Sequence, residues 1–330
     1  MAHTWTPTHA TFHGLLRKHQ WLPKQSRILV AFSGGQDSLC LLQLLVDLQT
    51  KWDWELASIY CDHRWPEDSS DNAAHVAQIS SDWNLPHYAF IAPQVLKGEA
   101  EGRDWRYQEM ANCAQAHGFQ YLVTAHTASD RAETLLYHLV RGTGMDGLQA
   151  LSQSRPLNET VTLLRPILHL TRQQTGDFCQ ERALPVWHDQ MNQDLHYRRN
   201  RMRLEVLPLL RQHFNPQVDR AIAQTSELLQ ADVAYLEEQA QQLFTQAQVD
   251  PSLPQLKRDV LKAAPLALQR RVMRMFLLQH LHRAPNYEQV QKMVTLINRH
   301  HRDRTDPLLA GIVAEVQHHL ILLRDLRDPH

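Results

Sequence analysis

The sequence predicts an α/β protein: an open, mostly parallel sheet with helices on both faces, then a smaller, mainly helical C-terminal domain. Three observations carry this. From Arg27 to about Leu210, short apolar runs alternate with longer stretches of helical spacing. After Phe214-Asn215-Pro216 the texture changes to long helical patterns. The chain has 330 residues, more than one hydrophobic core usually organises, so two domains, 1–213 and 214–330, are expected.

Taken in order, the strands are Ile28–Phe32, Leu56–Tyr60, His87–Ile91 and Tyr121–Thr124, each followed by a helix-spaced segment. Strands alternating with helices imply parallel neighbours joined by crossovers, and such sheets bind ligands beyond the carboxyl ends of their strands. Gln217 to about Ala247, rich in Ala, Gln, Glu and Leu, reads as one long helix that Pro251 and Pro254 end. Helical stretches follow at Leu256–His282 and Tyr287–Arg299, and the tail Gly311–Arg324 reads as a hairpin. No internal repeat or low-complexity segment is present.

Composition sets limits. Hydrophobic residues are 43% and charged residues 21%, ordinary for a globular protein, and the net charge is -1. A nucleic-acid partner therefore needs a local basic patch rather than the average field. The 4 cysteines form no C-x-x-C pair, which argues against a zinc ribbon, an iron–sulfur site or a disulfide framework, and for a reducing, cytoplasmic setting. The N-terminus lacks a basic start followed by an apolar core, and no stretch approaches the roughly 20 apolar residues of a membrane span. The 21 histidines are scattered, with no H-E-x-x-H; His300-His301, between Arg299 and Arg302, reads as a solvated basic turn.

The chemistry concentrates in two stretches. The first is Ser33-Gly34-Gly35-Gln36-Asp37-Ser38, between a strand and a helix expected to start at Ser38. Glycines let main-chain N–H groups approach a ligand, and a helix N-terminus favours an anion. The loop is shorter than a Walker A loop and lacks its Lys. A carboxylate beside phosphates repels them unless a cation intervenes, so Asp37 suggests Mg²⁺. The plainer alternative is a tight turn with Asp37 or Ser38 as helix cap.

The second is Thr124–Leu148, TAHTASDRAETLLYHLVRGTGMDGL. Ala132, Leu135, Leu136, Leu139 and Val140 make an apolar stripe, while Asp130, Glu133, Tyr137 and Arg141 lie on a polar face. Thr127 and Asp130 have capping-box spacing, and acids suit a first helical turn. Alternatively, two carboxylates at a strand's carboxyl end can bind an ammonium and take its proton. Gly142-Thr143-Gly144 breaks the helix and leaves backbone open to a second ligand.

The hexapeptide Ser33–Ser38 resembles the signature of the PP-loop ATP pyrophosphatases, which cleave ATP between the α- and β-phosphates and activate a carbonyl oxygen as its adenylate. The second stretch resembles the matching block of one branch, the tRNA(Ile)-lysidine synthases, at Thr124, Ala125, His126, Asp130, Glu133, Thr134, Leu136, Arg141, Gly142, Gly144, Gly147 and Leu148. Ser129 and Arg131 depart from that family's Asp and Gln, and Arg64-Trp65 from its Leu-Arg after Cys61-Asp62-His63. Arg103, Arg106 and Tyr107, Arg165-Pro166-Ile167-Leu168, Asp189, Asn192 and Tyr197–Leu210 extend the likeness, in order, over about residues 24–215.

The resemblance implies a reaction and roles. ATP adenylates O2 of the wobble cytidine in CAU-anticodon tRNA(Ile), pyrophosphate leaves, and free L-lysine displaces AMP to form lysidine. Ser33, Gly34, Gly35, Gln36 and Ser38 would hold pyrophosphate, with Asp37 on Mg²⁺. Asp130 and Glu133 would bind the lysine ammonium, Asp130 serving as base. His126, Arg106 and Arg141 are candidates for charge near the adenylate.

Arg198, Arg199, Arg201 and Arg203, with Tyr197, form a basic cluster suited to RNA contact, or a solvated cationic face paired with acids such as Glu205. Arg270, Arg271 and Arg274 form a second basic patch, equally readable as a helix flank. A base thiolase, an ammonia-using synthetase and an inactive tRNA-binding module are the rival readings. Whether the protein forms a homodimer is left open.

Overall fold

The computed structural model describes residues 5–64, 69–96, 98–188, 194–309 and 311–327. In chain order the first elements are α1 (Pro7–His19), β1 (Arg27–Ala31), α2 (Gln36–Trp52), β2 (Glu55–Asp62), α3 (Ser69–Asp82), β3 (His87–Ile91), α4 (Glu99–Ala116), β4 (Tyr121–Val123) and α5 (Ala128–Val140). Next come α6 (Met145–Leu148), β5 (Ser154–Pro156), β6 (Thr162–Leu164), α7 (Arg172–Glu181), α8 (Arg198–Arg201), a π-helical turn at Met202–Val206 and α9 (Leu207–His213). The chain ends with α10 (Val218–Ala247), β7 (Gln255–Lys257), α11 (Arg258–Lys262), α12 (Leu266–Leu281), α13 (Tyr287–Leu296), β8 (Ile312–Gln317) and β9 (Leu320–Asp325).

The strand order of the larger sheet is β3-β2-β1-β4-β6-β5, parallel except for β5. Side chains alternate across each strand, and the sequence exploits this on both faces. Ile28 and Val30 of β1, Leu56 and Tyr60 of β2 and Val123 of β4 join one core with Leu41, Leu44 and Phe178. Leu29, Ala57, Ile59 and Leu122 join the other, with Met110 and Cys113 of α4. Strands buried on both faces read as continuous apolar runs, which is why β1, β2 and β4 were visible in the sequence. After β1 the chain moves outward to β2 and β3, then crosses back to β4 on β1's other side. That reversal makes a topological switch point, and the crevice at the carboxyl ends of β1 and β4 is where such a sheet binds ligands.

The chain divides into two compact units, Met1–Leu229 and Gln230–His330. The textural break at Phe214-Asn215-Pro216 marks the junction of α9 and α10. The second unit is not helical throughout. It holds the antiparallel sheet β7-β9-β8, whose hairpin β8–β9 fulfils the reading of the tail. Leu256 lies in β7, paired with Ile321, and the stretch to His282 is split into α11 and α12. Pro265 explains the split, because the residue before a proline is pushed out of helical conformation. Among the described residues no helix is long and apolar enough to cross a membrane.

Candidate active site

The loop after β1 is shaped by Gly34. Its φ is +78°, and a Cβ there would lie 3.0 Å from Asn72 Oδ1, 3.1 Å from Val76 Cγ1 and 3.2 Å from Trp187 Cβ. Its carbonyl also accepts a hydrogen bond from the Trp187 N–H at 2.9 Å. Only glycine fits. The helix starts two residues earlier than expected, at Gln36, with Gly35 as N-cap. Gly35 brings no capping side chain, so the first N–H groups of α2 get none from it and the end stays suited to an anion. Ser38 is not the cap. Its buried hydroxyl donates to the Gly35 carbonyl at 2.9 Å and accepts from the Ser33 N–H at 3.3 Å, which closes the loop.

Asp37 points into the first turn of α7. It accepts hydrogen bonds from Thr175 Oγ1 and, at 3.1 Å, from Arg172 Nη1. Gln36 Nε2 donates to the Arg172 carbonyl at 2.7 Å and fastens the two helices. Burial, and next the negative charge of Asp130, push the Asp37 pKa up, against Arg172, Thr175 and Gln36. A carboxylate so placed gains from a cation. Mg²⁺ is usually held by one or two carboxylates plus substrate phosphates, and Asp37 beside a phosphate-type loop fits that donor set.

On α5 the capping-box carboxylate, Asp130, also lines a cavity shared with Asp37. Asp130 Oδ2 accepts from both the N–H and the hydroxyl of Thr127 at 2.8 Å, while Oδ1 lies 3.4 Å from Arg203 Nη2. Burial alone would raise the Asp130 pKa, yet His126, Arg203, Arg199 and the Thr127 N–H bring it below the usual value. Glu133 is buried and its pKa is raised, by burial first, although Arg203 opposes the shift. Arg203 reaches it with both Nε (2.7 Å to Oε1) and Nη2 (2.9 Å to Oε2).

The basic cluster expected to face RNA is thus divided. Arg203 turns inward, as does Arg199, whose Nη2 donates to Thr134 Oγ1 at 3.3 Å. Arg201 pairs with Glu205 at 2.9 Å on the surface, and Arg198 is exposed. The π-helical turn Met202–Val206 sets this phase, since each π turn adds a residue to the helical repeat.

His126 and Arg106 line a cavity of about 220 Å³ together with Ser33, Asp37, Ser38 and Asp130. Burial first, then Arg165, Arg199 and Arg106, lower the His126 pKa, and Asp130 opposes them. Its Nδ1 lies 2.9 Å from Thr124 Oγ1. Arg141 is not brought to the cavity. It is the exposed C-cap of α5, its guanidinium 5.3 Å from the Tyr137 ring centre; its backbone lies, at 1.5 Å per residue, about 16 Å along the axis from that of Asp130.

Ser129 and Arg131 are buried away from the cavity. The Ser129 hydroxyl accepts from the Arg172 N–H at 3.1 Å, and Arg131 Nε donates to the Leu151 carbonyl at 3.0 Å. Neither residue lines the cavity. Arg172 and Thr175 were missed in the sequence, where only the Thr171–Gln174 capping box announces α7. Trp65, Asp189 and Asn192 lie outside the described residues.

Comparison with known proteins agrees with this geometry. Residues 7–210 match the PP-loop domain family, and residues 256–311 match the TilS substrate binding domain. The chain is 52% identical to the tRNA(Ile)-lysidine synthase of Nostoc sp., covering 97% of this chain and 98% of that one. It is 48% identical to that of Thermosynechococcus vestitus, over 93% of this chain and 89% of the other. The fold is also similar to the U34-tRNA thiolase NcsA from Methanococcus maripaludis, a structure with a [4Fe-4S] cluster, at TM-score 0.55 and 13% identity over 67% of this chain and 80% of that one. With its phosphate-type loop, its paired carboxylates on α5 and a near full-length likeness at 52% identity, this chain belongs to the tRNA(Ile)-lysidine synthase family.

Proposed function

We propose that this protein uses ATP to join L-lysine to C2 of the wobble cytidine in CAU-anticodon tRNA(Ile), forming lysidine with release of AMP and pyrophosphate. One observation carries the reading: Ser33, Asp37, Ser38 and Asp130 line the same cavity at the switch point, so a nucleotide-type loop and an ammonium-binding carboxylate share one space. The cytidine O2 attacks the α-phosphorus of ATP, the bond to the β-phosphate breaks, and pyrophosphate stays on the loop of Ser33, Gly34, Gly35, Gln36 and Ser38. Adenylation turns O2 into a leaving group; without it, amine attack on the amide-like C2 is slow. The lysine ε-amine then attacks C2 and AMP departs. Mg²⁺, held by Asp37, would supply positive charge beside the pyrophosphate oxygens.

Asp130 and Glu133 bind the ammonium, for which Arg203 must first yield its place on Glu133. Asp130, which lines the cavity, remains the candidate base, and Glu133, its pKa raised by burial, is a second acceptor for the ammonium proton. A thiolase reading fits the cysteines poorly: all four are buried, and burial pushes Cys61, the one lining the cavity, up to about 12. Exposed arginines such as Arg198 are the candidates for tRNA contact.

The test is lysine incorporation. Purified protein, Mg-ATP, radiolabelled L-lysine and CAU-anticodon tRNA(Ile) are mixed, with the methionine tRNA of the same anticodon as control. Label in the first tRNA alone is expected. ATP cleaved without label in either would leave adenylation standing and overturn lysine as the nucleophile.

A further inference from the structure

Arg106 sits in the cavity wall under an unusual condition. Burial lowers its pKa, and among the described residues no carboxylate pairs with it and no acceptor takes its N–H groups. Its neighbour is the ring of Tyr107. Three guanidinium carbons lie over that ring, those of Arg155 at 5.2 Å, Arg103 at 5.7 Å and Arg106 at 5.9 Å from its centre. A fourth guanidinium, that of the fully buried Arg165, is fixed by its Nη1 donating to the Ser152 carbonyl at 2.6 Å. Burial alone would raise the Tyr107 pKa, but Arg165, Arg106 and Arg103 bring it below the usual tyrosine value.

Buried cations are ordinarily matched with carboxylates. A carboxylate here would satisfy Arg106 and also occupy it. An aromatic face instead attracts a guanidinium through its quadrupole and takes none of its in-plane donors. The arginine is held, yet its N–H fork stays available to a ligand. We propose that Tyr107 is a positioning residue whose ring holds Arg106 at the cavity wall, uncompensated, for an oxyanion of the substrate. This rests on the lysidine-forming reading, which offers two such oxyanions: the phosphoryl group of the adenylate and the carboxylate of L-lysine. Arg165, fully buried, adds positive charge beside Tyr107.

The experiment compares Tyr107→Leu, Tyr107→Phe, Arg106→Met and the double variant Arg106→Met/Tyr107→Leu with wild type. Single-turnover pyrophosphate release and the KM for L-lysine are both measured. Tyr107→Leu is expected to slow pyrophosphate release, or raise the KM for lysine, by about thirtyfold, the size of one cation–π contact in a desolvated site. The first pattern assigns the oxyanion to the adenylate, the second to lysine. Tyr107→Phe keeps the ring and should stay close to wild type. In the Arg106→Met background the Tyr107→Leu change should add nothing. Effects that multiply in the double variant, or a Tyr107→Leu protein matching wild type in both readouts, overturn the inference while leaving the reaction intact. Wild type that releases no pyrophosphate under these conditions overturns the reading of the site and the inference with it.

Discussion

Arg203 grips Glu133 with two hydrogen bonds, 2.7 and 2.9 Å long, and the carboxylate so held is almost wholly buried, with its side chain 1% exposed. The pair joins the segment after α8 to the helix that carries Asp130. It also puts a guanidinium where the proposed reaction needs a lysine ammonium, so the site comes already fitted for a cation.

Arg203→Met leaves buried Glu133 with only the weaker ion pair to Arg199, 3.8 Å from Oε2, and breaking a buried pair in this way costs up to about 3–5 kcal/mol. The penalty depends on pH, with a sign that follows from the raised pKa of Glu133. The folded state holds this proton more tightly than the unfolded state does. Stability therefore falls as pH rises from the unfolded value, about 4.3, through the folded one, and is flat above. Removing Arg203 lifts the folded pKa further. Urea denaturation should show a larger deficit for Arg203→Met at pH 8 than at pH 5. An equal deficit at both would mean that Glu133 is not the group left uncompensated.

Gly34 and Gly35 look equivalent in the sequence, yet only Gly34 needs to be glycine to fold. A methyl at Gly34 meets positive φ and three atoms within 3.2 Å, whereas at Gly35 the nearest is Ser33 Oγ at 3.7 Å. Gly34→Ala should cost roughly 1–3 kcal/mol of stability. Gly35→Ala should fold nearly as well as wild type while its bulk hinders close backbone approach to pyrophosphate. Thermal unfolding of the two variants decides this; equal melting temperatures would refute the loop geometry.

Asp37→Asn separates function from stability. Burial and the neighbouring Asp130 make its ionisation unfavourable in the folded state, so an uncharged amide of the same shape removes that cost at neutral pH. We expect a melting temperature at or above wild type, together with pyrophosphate release slowed at least about 100-fold, the scale of losing one preorganised electrostatic contact. Stability exchanged for activity in this way is common at functional sites. Normal turnover by Asp37→Asn would remove the metal-binding role.

Much of this was legible in the sequence, for reasons that particular residues make clear. Ile28, Leu29 and Val30 are all fully buried, so β1 announces itself as an unbroken apolar run. Asp130 was legible as both cap and site residue because its bond to Thr127 is local. β5 and β6 were not legible: each has three residues, and those of β5 are all exposed, so neither leaves a pattern. The partners of Asp37 were hidden for another reason. Arg172 and Thr175 are 135 and 138 residues away, and no spacing rule reaches that far. The arginines at 199 and 203 could be placed on one face, but not which way that face points, because the π turn after Arg201 decides it.

The outward-facing remainder of that cluster gives the last prediction. Arg201 is tied to Glu205 at 2.9 Å, whereas Arg198, one turn earlier and exposed, pairs with no carboxylate among the described residues. If the tRNA backbone passes this surface, Arg198 releases a counterion on binding and Arg203, turned inward toward Glu133, does not. Arg198→Ala should weaken tRNA binding at low salt and lower the slope of log affinity against log salt by about 1. Its pyrophosphate release at saturating tRNA should match wild type, because the cavity is untouched. A filter-binding titration from low to moderate salt tests this directly, and a slope equal to that of wild type would place the RNA on another face.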